Sequence, residues 1–213
     1  MLELLTGTGL AAAAGLNAYI PLLIMGVAGR FEWIQLPAGW SWLENVWFRV
    51  ILGVLLVIEI VADRVPAVDT VNDAIQTVVR PASGGIVFAG GIGTSTVAVE
   101  DPGQFFSSGA WLPVLIGIGL ALLVSLAKTA VRPVANLMTG GAAAPMLSTA
   151  EDGASIVLVV LAIVAPILVA IALVLMIWAF VAMIRRVRRK RREKAEALAR
   201  AGTAADAQPG ALR

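Results

Sequence analysis

Apolar residues run along this chain in long blocks separated by short polar ones. Five blocks stand out, at about Leu4–Gly29, Phe48–Val65, Ile86–Val99, Trp111–Val131 and Ile156–Ile184. Several approach the roughly 20 apolar residues that carry a helix across about 30 Å of hydrocarbon. The first is interrupted by "GLNAYIP", which sets Asn17 and Pro21 at its centre. Proline removes a backbone donor and crowds the preceding turn, so a break is expected there. Broken backbone at membrane depth survives only where protein or a water-filled cavity covers it. The third block, "SGGIVFAGGIGTSTVAV", is short and glycine-rich. It predicts either a re-entrant helix or one packed closely through its small residues. The last block is about 43 Å long at 1.5 Å per residue, so it must tilt, kink at Pro166 or project from the bilayer.

The polar stretches carry their own patterns. Between Val68 and Arg80, residues Asp69, Asn72, Asp73, Gln76, Thr77 and Arg80 fall on one helical stripe, with Val68, Val71, Ile75, Val78 and Val79 opposite. This predicts a short amphipathic helix stopped by Pro81, lying on the surface or lining a vestibule. Trp33, Trp40, Trp42 and Trp47 crowd one linker, as suits a membrane interface, where the apolar ring and its polar N–H are both accommodated. Ser148 and Glu151 fit an S-x-x-E capping box at the start of the last helix, where the helix dipole also favours Glu151 and Asp152. "TGG" at Thr139–Gly141 reads as a turn.

Composition changes the solvent. Charged residues make up 14% and hydrophobic ones 59% of the 213 residues, with mean hydropathy +0.90; soluble domains carry about 25% charged residues. The chain therefore reads as an all-α, polytopic transmembrane helix bundle with broken or re-entrant helices. The net charge of +2 is unevenly placed. Residues 1–184 hold six basic and eleven acidic residues, and residues 185–213 hold ten basic and three acidic. The expected organisation is a membrane domain over 1–184 and a basic, then disordered, tail over 185–213. The positive-inside rule places that tail in the cytoplasm, with affinity for anionic membrane lipids. Five spans would put the N-terminus outside; a re-entrant segment in place of a span would reverse that. Nucleic acid is not an expected partner, because a short cationic run beside a membrane helix is no reading element. The absence of cysteine and histidine removes disulfides, thiolate chemistry, histidine triads and most transition-metal sites, and no cofactor is expected. Glu3 stands where a signal peptide would be positive, so the first segment is expected to be retained.

Two charged pairs share a spacing of four, which puts each on one helix face. Glu59 and Asp63 lie near the end of the second block, and Lys128 and Arg132 near the end of the fourth. Charges at that depth cost about 3 kcal/mol or more each unless paired or wet, and mutual pairing is the simplest solution. Such a cluster either locks the bundle or lines a polar cavity that exchanges protons and holds an anionic ligand. "TVVRPA" at Thr77–Ala82 recurs as "TAVRPV" at Thr129–Val134, and "TGTGLAAAAG" is echoed by "TGGAAAP". These echoes suggest internal repeats, which many transporters use to build a midplane site from broken helices.

"GLNAYIPLL", "EIVADRVPAVD" leading to "VRPASGG", and the K…R…N…TGG…P…S…ED series from Lys128 to Asp152 resemble a bacterial membrane-protein family catalogued as domain of unknown function 4126. The resemblance spans about residues 5–180. It implies a polytopic membrane fold sharing these polar residues, and supplies no activity or substrate.

The leading expectation is a small secondary transporter or lipid-handling permease of the bacterial inner membrane, acting on an anionic small molecule or lipid head group. Its candidate site comprises Asn17, Glu59, Asp63, Asp69, Asp73, Arg80, Lys128, Arg132, Asn136, Ser148, Glu151 and Asp152. The cations would attract the anionic group, and Glu59 and Asp63 would be proton-linked. The alternative is a non-transporting scaffold or assembly factor whose ion pairs are structural. A membrane enzyme ranks third, since carboxylates serve as acid and base but no nucleophile–base pair or metal set is visible. A homo-oligomer is left open.

Overall fold

A computed structural model describes residues 1–63, 66–93, 109, 111–139 and 143–206. Among them the chain is helical throughout, with no strand. The helices are α1 (Leu2–Leu16), α2 (Tyr19–Arg30), a 3-10 helix (Ala38–Glu44), α3 (Val46–Ala62), α4 (Pro66–Gly91), α5 (Trp111–Thr139), α6 (Ala143–Val164) and α7 (Pro166–Asp206). Met1–Leu173 forms one compact unit and Val174–Arg213 a second. In the second, Arg189 Nε donates to Glu193 Oε1 at 2.8 Å, an exposed pair one turn apart on α7.

The first apolar block breaks where its sequence says it should, between Leu16 and Tyr19, leaving two helices of 15 and 12 residues. The last block also breaks at its proline, α6 ending at Val164 and α7 starting at Pro166. Two other proline-based or cap-based readings fail. Pro81 does not stop the amphipathic helix: α4 runs on through it to Gly91, joining the polar stripe and the glycine-rich block in one helix of 26 residues. That helix gives no support to a re-entrant third segment. α5 likewise passes through Pro133 to Thr139. One missing backbone donor is tolerated in helices held on several sides by neighbours, and α4 packs against α1, α2, α3 and α5. Finally, Ser148 caps nothing, because α6 begins at Ala143.

Which faces are buried identifies the solvent. On α4 Gln76 and Arg80 of the polar stripe are buried, as is Ser83 beyond it, while Thr77 at the stripe's margin and Val68, Ile75 and Val78 are exposed. α3 buries Leu52, Glu59 and Ala62 and exposes Val50, Ile51, Val54, Val57, Ile58 and Val61. A water-soluble helix does the reverse. Polar residues inside and aliphatic residues outside is the arrangement hydrocarbon imposes, since intramembrane charges face the bundle interior. Among the described residues, three helices are long and apolar enough to cross a membrane, over Trp111–Ala130, Pro145–Val164 and Pro166–Arg186. The architecture is that of a membrane protein.

The centre is held by close backbone contact. α1 lies against α4, α5 and α6, and α4 against α5. A Cβ at Gly117 would come 2.5 Å from Phe88 Cβ and 2.9 Å from Gly85 Cα; one at Gly15 would come 2.6 Å from the Ala121 carbonyl. Only glycine lets the helices approach this far, which is the packing mode expected where lipid supplies no hydrophobic drive between helices. The tryptophan-rich linker divides: Trp33 and Trp47 are largely exposed, but Trp40 is buried, with Trp42 beside it and Phe48 edge-on to Trp42.

Candidate functional site

The break between α1 and α2 is stitched by side chains from the rest of the unit. Asn17 leaves the helix in an extended conformation. Its Oδ1 accepts from the backbone N–H groups of Tyr19 (3.0 Å) and Ile20 (3.1 Å). Those donors open α2 and have no partner within the helix. Pro21 is the third residue of α2, where its missing N–H costs no helical bond. The Asn17 amide then donates to Asp152 Oδ1 at 2.9 Å. On the α1 side, Leu16 O accepts from Lys128 Nζ at 3.0 Å, and Ala13 O accepts from Ser155 Oγ at 3.0 Å. Ala18 O accepts from Ser83 Oγ at 2.6 Å. Lys128 thus satisfies a carbonyl at the break, as backbone buried away from water requires, while Ser83 and Ser155 tie the Ala18 and Ala13 carbonyls to α4 and α6, the Ala13 carbonyl also accepting from the Asn17 N–H.

The same side chains form a charged cluster. Lys128 Nζ stands 2.9 Å from Glu151 Oε2 and 4.0 Å from Asp63 Oδ2. Asp63 Oδ1 accepts from Asn72 Nδ2 at 2.8 Å. Arg80 Nη2 stands 3.3 Å from Glu59 Oε1, with the two side chains 1% and 2% exposed. The Tyr19 hydroxyl lies near Gln76 and within electrostatic reach of Glu59 and Arg80. Of the expected pairing of Glu59 and Asp63 with Lys128 and Arg132, only the part that involves Lys128 falls on described side chains. Asp63 does face Lys128, but Glu59 turns to Arg80, and the short contact of Lys128 is with Glu151. Nesting explains this. Residues nearer the α3–α4 connection pair with each other (Asp63 with Asn72), and those further away pair outside them (Glu59, one turn back on α3, with Arg80, two turns on along α4). This is the pattern of adjacent antiparallel helices.

Of the twelve residues expected at the site, Asn17, Glu59, Asp63, Arg80, Lys128, Glu151 and Asp152 are brought together. Ser148 is buried on α6, one turn before Glu151 and Asp152. Asp69 and Asp73 lie on α4, and Arg132 and Asn136 on α5; their side chains, like residues Gly140 and Gly141 of the expected turn, lie outside the described residues. Sequence reasoning missed Tyr19, Asn72, Gln76, Ser83, Ser155 and the carbonyls of the break as participants. Asn72 and Gln76 were signalled by the polar stripe. Nothing local distinguishes Ser83 or Ser155 from any other helix serine.

Two properties set the chemistry. Among the described residues the cluster holds four carboxylates (Glu59, Asp63, Glu151, Asp152) and two cations (Arg80, Lys128). No group of His, Cys, Asp or Glu among them is arranged to hold a metal ion. A buried, acid-rich cluster of this kind can take up protons and can exchange one ion-pair partner for another.

The model of the family described as Domain of unknown function (DUF4126) matches residues 4–186, which includes every residue of the cluster. No curated protein and no solved structure matches the chain.

Proposed function

The chain belongs to the DUF4126 family, and we propose that it is a small secondary transporter or lipid-handling permease in which Lys128 receives the anionic group of the substrate. The observation that carries this reading is the position of Lys128. Its ammonium sits at the open end of a broken helix, on the Leu16 carbonyl, and its nearest carboxylate, Glu151, is the more exposed partner at 13% against 3%. An incoming carboxylate or phosphate would displace Glu151 from Lys128. A proton taken up by the acid-rich cluster would keep the buried charge from becoming more negative. Broken helices that present their ends at mid-membrane are how many carriers build such a site.

A second reading is favoured by the completeness of the stitching: a scaffold whose ion pairs only fix the helices. Access separates the two. Ser125 and Ser148 are buried and lie within one turn of Lys128 and Glu151, so Ser125→Cys and Ser148→Cys report the site with little change in volume. The chain has no other cysteine. In sealed vesicles a membrane-impermeant thiol reagent should label at least one of them. Inorganic phosphate or a short-chain phosphatidic acid should change the rate. Folded protein in which neither thiol reacts from either side would support the scaffold and overturn the transporter.

A further inference from the structure

Glu59 is the carboxylate of the cluster whose environment fits an anion least. Among the described residues its Oε2 has no hydrogen-bond partner, and neither does the Gln76 Oε1. Glu59 is 2% exposed and Gln76 1%, so bulk water does not reach these oxygens. Both are acceptors. What each oxygen lacks is a hydrogen to accept, and the buried Arg80 Nε–H reaches neither of them. The Glu59–Arg80 contact points the same way. At 3.3 Å it is longer than the roughly 2.7–2.9 Å of a charge-assisted N–H···O bond, whereas Lys128 and Glu151 close to 2.9 Å.

We propose that Glu59 is the resident proton-binding site of the cluster, held as a neutral carboxylic acid in the conformation described. The groups facing it are Arg80 on α4, Tyr19 on α2, Lys128 on α5 and Asp63 at the end of its own helix. Protonation turns Oε2 from an unsatisfied acceptor into a donor. Loss of the proton makes Glu59 an anion, which shortens its contact with Arg80 and draws the guanidinium away from any other anionic group. Proton release and loss of affinity for an anion then occur at one pair of side chains. This deepens the transporter reading and takes its coupling role from it, but the protonation itself is measurable without transport.

Infrared spectroscopy of the full chain in lipid vesicles tests it. Protein grown with carboxyl-labelled [13C]glutamate shows which protonated-carboxyl bands belong to glutamate. At neutral pH one such band should be present, lost in Glu59→Gln and retained in Asp63→Asn. If Glu59→Gln does not fold, Arg80→Lys should shift the band, because it changes the cation 3.3 Å from the Glu59 carboxyl. A wild-type spectrum with only ionised glutamate carboxylates at neutral pH would overturn the proposal, even if the thiols at Ser125 and Ser148 react. A band that survives Glu59→Gln unchanged would overturn it as well. Glutamate protonation found in protein whose thiols never react would keep the proton site and discard the transporter.

Discussion

Replacing Lys128 with methionine keeps most of the aliphatic stem and removes the ammonium, so the loss isolates what the charge does. Three groups are left behind: Glu151 Oε2, which had it at 2.9 Å, the Leu16 carbonyl at 3.0 Å, and Asp63 at 4.0 Å. Breaking a buried ion pair from one side costs about 3–5 kcal/mol, and an orphaned buried carbonyl about 1–3 kcal/mol. Glu151 is 13% exposed and recovers some hydration, so the total should fall near the lower sum, about 4 kcal/mol. Glu151→Gln should cost less, about 2 kcal/mol, because Lys128 keeps the Leu16 carbonyl and Asp63. The double variant should lose about 3 kcal/mol rather than about 6, a coupling at the top of the range for touching residues. Reversible unfolding in mixed micelles, followed by tryptophan fluorescence, measures all three. Strict additivity would refute the geometry, since it would mean that Lys128 and Glu151 do not depend on each other. The same cycle with Asp63→Asn should give clearly weaker coupling, because 4.0 Å is the outer limit of an ion pair.

Other positions test the break and the close packing in the same assay. Asn17→Ala removes the acceptor for two N–H groups and the donor to Asp152, and should cost about 2 kcal/mol, the upper end for a lost helix cap; a neutral result would show that water replaces Asn17. Gly117→Ala, which places a methyl against Phe88 and Gly85, should cost about 1–3 kcal/mol by overpacking. Gly119→Ala, two residues away with nothing within 4 Å, should be neutral or stabilising by up to about 1 kcal/mol, since alanine is the better helix former. Equal effects at both glycines would refute the close approach of α4 and α5.

What could be read beforehand, and what could not, follows from the range of the forces involved. Asn17 with Pro21, and Pro166 inside an overlong block, announce breaks because the backbone penalty is local. Pro81 carries the same penalty and yet α4 runs through it, because neighbours on several sides outweigh one missing donor. That is tertiary information, and no window around Pro81 contains it. Glu151 and Asp152 show the same limit. As a sequence they sit four residues or fewer from a serine and resemble a cap; in the fold they lie inside α6 and reach Lys128 and Asn17. The stripe on α4 was legible as a stripe, but its direction was not. Whether Gln76 and Arg80 face outward or inward depends on whether the surroundings are water or lipid.

The stitching of the α1–α2 break has a consequence in time. Asn17 waits for Asp152, 135 residues later, and Leu16 waits for Lys128, 112 residues later. At roughly 5–20 residues per second of synthesis, the ribosome takes on the order of ten seconds to deliver those partners. Throughout that interval the nascent α1 and α2 carry an open polar joint that lipid cannot satisfy. The N-terminal helices must therefore be kept next to water or to the insertion machinery until α5 and α6 emerge. Slowing translation between residues 17 and 152 should expose that joint to proteases or mis-insertion in a way that slowing it after residue 160 does not.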